Sequence, residues 1–201
     1  MSVYSRMILV LTAVGLFSGL SLVYMARYAE PHIARHKQEA IREAIERVLP
    51  GVARVEEVQR GELVLYRGTD ASGKPVGYAF ITEGPGYQGT IQLMVGVSPD
   101  LTKLTGMEVL ESVETPGLGA RITEPEFREQ FQGLKASPGI GYVKAGRKPA
   151  PNEITAITGA TISSRSVVDI VNRGLEEVRR LVQAKGMDCA TQATPSEGGG
   201  K

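Results

Sequence analysis

This chain predicts an α+β fold behind a single N-terminal membrane helix. Three observations carry that prediction: one uncharged apolar run near the start, pairs of strand-like runs separated by turn residues, and one long amphipathic helix near the end. Its 201 residues suffice for one such domain plus an accessory segment. Net charge is +1, and no basic stripe carries interleaved aromatics, which sets nucleic acid aside as a partner. The single cysteine, Cys189, excludes an internal disulfide and any CxxC metal or haem motif. His32 and His36 lie in one short N-terminal stretch, so the rest of the chain has no imidazole for zinc or for a Ser-His or Cys-His pair.

Residues 7–25, "MILVLTAVGLFSGLSLVYM", hold no charge over 19 positions, close to the roughly 20 that a helix needs to cross the hydrocarbon core. Arg6 and Arg27 bracket the run, and Tyr4, Tyr24 and Tyr28 stand where interfacial aromatics belong. A cleaved signal peptide is the competing reading. The run is longer than an h-region of roughly 7–15 residues, and "ARYAEPH" after it makes no clean A-x-A site. Residues 1–30 therefore read as an uncleaved transmembrane anchor. Gly15 and Gly19 form a G-x-x-x-G pattern, which is either a packing face for another membrane subunit or ordinary membrane-helix glycine. Arg27, Arg35 and Lys37 on one side against Arg6 on the other leave the sidedness open.

Residues 31–60 read as a juxtamembrane amphipathic helix and linker. Ile41, Ile45, Val48 and Leu49 share a face of a helix over 33–49, and Pro50-Gly51 stops it. The domain proper is expected over 61–186. Strands over 62–67 and 76–82 flank "TDASGK", and strands over 90–97 and 104–112 flank "SPDLTK", giving two hairpins. Thr123 and Pro125 begin a short helix over 124–134. The long helix starts at 162; Val167, Val168, Val171, Leu175, Val178, Leu181 and Val182 step by three and four, and Gly186 ends it. Residues 187–201, "MDCATQATPSEGGGK", have the composition of a disordered tail.

Three motifs bear on function. "GPGYQG", residues 84–89, has the letters of a dinucleotide fingerprint but is followed by strand-like "TIQLMVGV" rather than a helix, so it reads as a loop between strands. "ETPGLG", residues 114–119, follows a strand and makes a tight loop whose threonine and backbone suit a planar, hydrogen-bonding ligand. "TGAT", residues 158–161, stands at the start of the long helix. There Thr161, Ser163 or Ser164 caps the helix, or Thr161 meets an anion at the positive helix end. A cap needs one hydroxyl and makes no use of Thr158, Gly159 and Ala160.

Together, in this order, the three motifs resemble the FMN-binding domain family. With one membrane helix on a short chain, the sequence is most similar to the G subunits of Rnf-type electron transport complexes, and the C subunits of sodium-pumping NADH:quinone reductases are near relatives. The resemblance runs from Gly61 to Lys185. It implies FMN held by a phosphoester to Thr161 and installed from FAD by a separate flavin transferase. Thr158, Gly159 and Ala160 would shape the approach, while Glu114, Thr115, Leu118 and Gly119 would lie near the isoalloxazine or ribityl chain. It implies further membrane and redox subunits of an ion-translocating ferredoxin:NAD oxidoreductase as partners. It also implies a domain on the extracytoplasmic side of the membrane, with no side chain acting as general acid or base. The family often has an acidic residue where this chain has Thr155, and a basic or amide residue near Ser112 and Val113. The alternatives are the equivalent subunit of a quinone-reducing pump and a non-redox anchored binding module.

Overall fold

The computed structural model describes residues 2–60 and 63–184, and its architecture is the expected α+β one. The chain divides into two compact units, Met1–Glu43 and Ala44–Lys201. Helix α1 spans Val3–Val48, 46 residues, so the two N-terminal helices expected from sequence are one. It passes through Pro31, which costs the ladder one hydrogen bond; helix formers on either side, including Ala29, Glu30 and Arg35, carry the helix across. In the first unit Leu9, Leu11, Phe17, Leu20 and Leu22 are exposed. This helix is long and apolar enough to cross a membrane.

The second unit is built on a five-stranded antiparallel sheet in sequential order: β1 (Arg54–Arg60), β2 (Leu63–Thr69), β3 (Pro75–Pro85), β4 (Thr90–Val97) and β5 (Leu104–Ser112). Both expected hairpins form. Strand β1 was not anticipated, because "RVEEVQR" is charged enough to read as linker. As an edge strand with one partner, it keeps Arg54, Glu56 and Glu57 in solvent. Each hairpin turn is organised by a carboxylate. Asp70 Oδ1 accepts hydrogen bonds from the Ser72 hydroxyl at 2.6 Å and from the Ser72 and Lys74 amides at 2.8 and 2.9 Å. Asp100 accepts from the Ser98 and Thr102 hydroxyls, which hold its pKa at about 2.

Helix α3, Thr161–Ala184, covers one face of the sheet. Val167, Val168, Ile170, Val171, Leu175 and Val178 enter one core with Phe80, Leu93 and Val95. Leu181, expected on this stripe, is 38% exposed. The expected helix end at Gly186, the tail 187–201 and Cys189 lie outside the described residues. On the opposite face the sheet receives the C-terminal end of α1. Side chains alternate between faces, and Gly68, Gly77, Gly96 and Gly106 fall on one face of four successive strands. A Cβ at Gly68 or Gly77 would collide with Leu49, and one at Gly96 would collide with Val48. These glycines form a trough in which Val48 and Leu49 are fully buried, and the Thr105 hydroxyl donates to the Val48 carbonyl at 2.5 Å. Covered on both faces, β4 is buried almost throughout rather than at alternate positions.

The segment expected as one helix over 124–134 is a short helix α2, Pro125–Arg128, followed by a 3₁₀ turn, Glu129–Phe131, and a further 3₁₀ turn, Gly119–Thr123, precedes it. Phe127 and Phe131 point inward and meet edge to face, centroids 5.6 Å apart. Arg128 pairs with the buried Glu108 of β5, which Arg47 of α1 also approaches at 3.4 Å. Strands β6 (Gly141–Val143) and β7 (Glu153–Thr155) form a small parallel pair. At three residues each they are too short to show periodicity in the sequence.

Candidate functional site

Two glycine turns of the same design frame the site. Leu118 N–H donates to Thr115 O at 3.1 Å across Pro116-Gly117, and Ala160 N–H donates to Ile157 O at 3.0 Å across Thr158-Gly159. In each turn the third residue has positive φ, +75° at Gly117 and +82° at Gly159. That conformation is one a side chain resists and glycine accepts. The turns touch. The Leu118 side chain lies against Gly159, 3.2 Å from where a Cβ would stand.

Glu114 joins the motifs. It is 6% exposed. Its Oε1 accepts from the Tyr87 and Gln88 amides at 2.6 and 3.1 Å, and its Oε2 accepts from the Ser163 hydroxyl at 2.7 Å. One carboxylate thus holds the "GPGYQG" loop, its own loop and the first turn of α3. Thr115 adds a second tie, donating its hydroxyl to Gln88 Oε1 at 3.0 Å. Gly86 and Gly119 are glycines because a Cβ at either would strike the Glu114 carboxylate.

Three hydroxyls crowd the first turn of α3, and they have different partners. Ser163 donates to Glu114. Ser164, fully buried, accepts from Ile157 N–H at 3.0 Å and donates to Ala160 O at 2.9 Å, closing the turn that precedes the helix. The Thr161 hydroxyl has no hydrogen-bond partner among the described residues. It is half-buried at the first residue of the helix, between buried Ala160 and exposed Ile162. The capping reading for Thr161 therefore finds no bond to support it. The free amides of a first helical turn stand beside this hydroxyl.

All eight residues singled out from the sequence fall in this assembly. Thr158 and Gly159 are exposed, Ala160 and Gly119 buried, and Thr115 intermediate. Sequence reasoning missed Tyr87 and Gln88, and it offered Ser163 and Ser164 only as helix caps. The loop that fails as a dinucleotide site supplies the two amides that Glu114 needs. Apolar exposure also concentrates here. Tyr87, Val113, Leu118 and Ile162 are exposed and lie on or beside the three motifs; among the described residues from Ala44 onward only Val55 and Leu181 are comparable. An unpaired hydroxyl at a helix N-terminus beside exposed apolar side chains fits a ligand with a phosphate at one end and an aromatic ring system at the other.

Residues 86–176 match the FMN-binding domain family. The G subunit of an ion-translocating oxidoreductase complex from Methanosarcina acetivorans is 37% identical over 79% of this chain and 85% of its own length. The G subunit of a proton-translocating ferredoxin:NAD(+) oxidoreductase complex from Clostridium ljungdahlii is 33% identical over 87% of this chain and 91% of its own. The crystal structure of the C subunit of a Na(+)-translocating NADH-quinone reductase from Parabacteroides distasonis shares the fold, with TM-score 0.63 and 20% identity, covering 75% of this chain and 96% of that one. With its FMN-binding domain and relatives that match it over most of their own length, the chain belongs to the family of G subunits of ion-translocating, Rnf-type oxidoreductase complexes.

Proposed function

We propose that this chain is the membrane-anchored electron-transfer subunit of an Rnf-type ferredoxin:NAD oxidoreductase and carries FMN as a phosphoester on Thr161. The observation that carries the reading is the division of labour among three neighbouring hydroxyls. Ser163 and Ser164 are consumed by internal hydrogen bonds, and Thr161 alone keeps its oxygen for chemistry. When bound, the flavin supplies the electron uptake and release, which no side chain here provides. The chain's own residues attach and orient. The amides of the first α3 turn favour the negative charge that a phosphodiester retains. Leu118 and Ile162 offer apolar surface to the ring system.

Attachment by a flavin transferase is balanced as a group transfer. The Thr161 oxygen forms a bond to the FMN phosphorus of FAD, the anhydride bond to AMP breaks, AMP leaves with the electron pair, and the hydroxyl proton passes to a base of the transferase. Helix α1 anchors the domain with a single span, and the domain faces the extracytoplasmic side, where a covalent link keeps the flavin from being lost. Protease added to spheroplasts should then remove the domain, and protease added to inverted vesicles should spare it. The relatives with the widest coverage are G subunits, which favours this reading over a quinone-reducing pump.

Co-expression with a flavin transferase tests the proposal. After denaturing electrophoresis the wild-type band fluoresces under ultraviolet light, Thr161→Ala is dark, and Thr158→Ala still glows. A dark wild-type band would instead leave an anchored module without redox function.

A further inference from the structure

We infer that Glu114 and Ser163 form a clasp that presents the Thr161 hydroxyl for modification, an inference that rests on the reading of Thr161 as the attachment site. Neither residue touches the oxygen that reacts. Ser163 stands two positions after Thr161 in the same helical turn, 3% exposed, and its hydroxyl is directed to Glu114 Oε2 at 2.7 Å. Glu114 is in turn fixed by two amides of the loop before β4, at 2.6 and 3.1 Å. A buried carboxylate with three donors is rigidly placed, because any displacement leaves charge unpaired. The first turn of α3 is thereby tied to the Glu114 loop, 49 residues before Ser163, and through Glu114 to the Tyr87 loop, a further 27 residues back.

The surrounding packing is built for this contact. A Cβ at Gly86 or at Gly119 would meet the Glu114 carboxylate first, and one at Gly119 would also stand 2.7 Å from the Ser163 hydroxyl. Ser163 is therefore committed to Glu114, which leaves Thr161 as the hydroxyl of its turn without an internal partner among the described residues. The clasp selects the residue that is modified by engaging its competitor. Both clasp members are positioning residues.

The test measures FMN transfer from FAD to the full chain in detergent micelles by purified flavin transferase, followed by intact mass. Ser163→Ala and Glu114→Ala should each lower kcat about tenfold or more, the factor carried by a hydrogen bond to a charged group, with KM for FAD unchanged. Glu114→Gln keeps the shape, accepts the same two amides and donates to the Ser163 oxygen. It should stay within about threefold of wild type, less than one neutral hydrogen bond carries. Asn172→Ala serves as the control for simple destabilisation. It breaks the pair of bonds between Asn172 and the Ile140 backbone, at 2.8 and 2.9 Å, and should lower the melting temperature at full transfer rate. Wild-type rates in Ser163→Ala and Glu114→Ala overturn the clasp, as does a Glu114→Gln chain as slow as Glu114→Ala. Loss in proportion to melting temperature, Asn172→Ala included, overturns it too. A wild-type chain that takes up no FMN overturns the attachment site itself, and the clasp with it.

Discussion

Leu118 rests on Gly159, with its Cδ2 3.2 Å from the position a Cβ would take there. This contact joins the two glycine turns, "ETPGLG" and "TGAT", that lie some forty residues apart in the chain. It also tightens the space at the third position of the second turn, where the backbone at φ +82° already favours glycine.

Gly159→Ala should therefore destabilise the domain. Holding a non-glycine residue in the left-handed region costs about 1–2 kcal/mol, and the new methyl must also displace Leu118. For a domain of this size the melting temperature should fall by roughly 5 °C. Differential scanning calorimetry of the variant checks it, and an unchanged midpoint would contradict the contact.

The trough that receives the end of α1 predicts an order of effects. A Cβ at Gly96 would stand 2.9 Å from Val48 Cβ and 2.5 Å from its carbonyl oxygen, whereas one at Gly106 meets Val48 Cα at 3.2 Å. Gly96→Ala should cost about 2 kcal/mol by overpacking, and Gly106→Ala less than about 1 kcal/mol. Urea unfolding of both variants measures the difference, and a reversed order would contradict the seating of Val48.

Stability at low pH should depend on Asp100. Its folded pKa, about 2, lies below the ordinary value of 3.8 because the Ser98 and Thr102 hydroxyls donate to its ionised form. A group with a depressed folded pKa contributes stability above its unfolded pKa and loses it as pH falls through the folded value. The contribution is thus present above about pH 4 and gone by about pH 2. In Asp100→Asn this part of the acid dependence should vanish. Melting curves at pH 5, 4, 3 and 2, compared with wild type, report it, and parallel pH profiles would contradict the assignment.

The hairpins, the long helix and the position of Thr161 were legible in the sequence, since each is written in local periodicity or turn chemistry. "TDASGK" and "SPDLTK" mark their turns through Asp70 and Asp100, whose carboxylates bond the backbone within a few residues. Strand β1 was hidden by its charges, and β6 and β7 by their length. The roles of Gly68, Gly77, Gly96 and Gly106 depend on a helix end that arrives from outside the sheet. The tie between Glu114 and Ser163 spans 49 residues and leaves no periodic trace. What stayed unreadable was long-range contact, including most of what shapes the site.

Fragmentation of the tryptic peptide covering residues 148–165, taken from the chain purified out of membranes that also contain its flavin transferase, locates the flavin to a single hydroxyl. That peptide holds Thr155, Thr158, Thr161, Ser163 and Ser164 together, so the fragment ions choose among all the candidate hydroxyls. One FMN phosphodiester is expected, on Thr161 alone. An unmodified peptide, or FMN on Thr158 or Ser163, would contradict it.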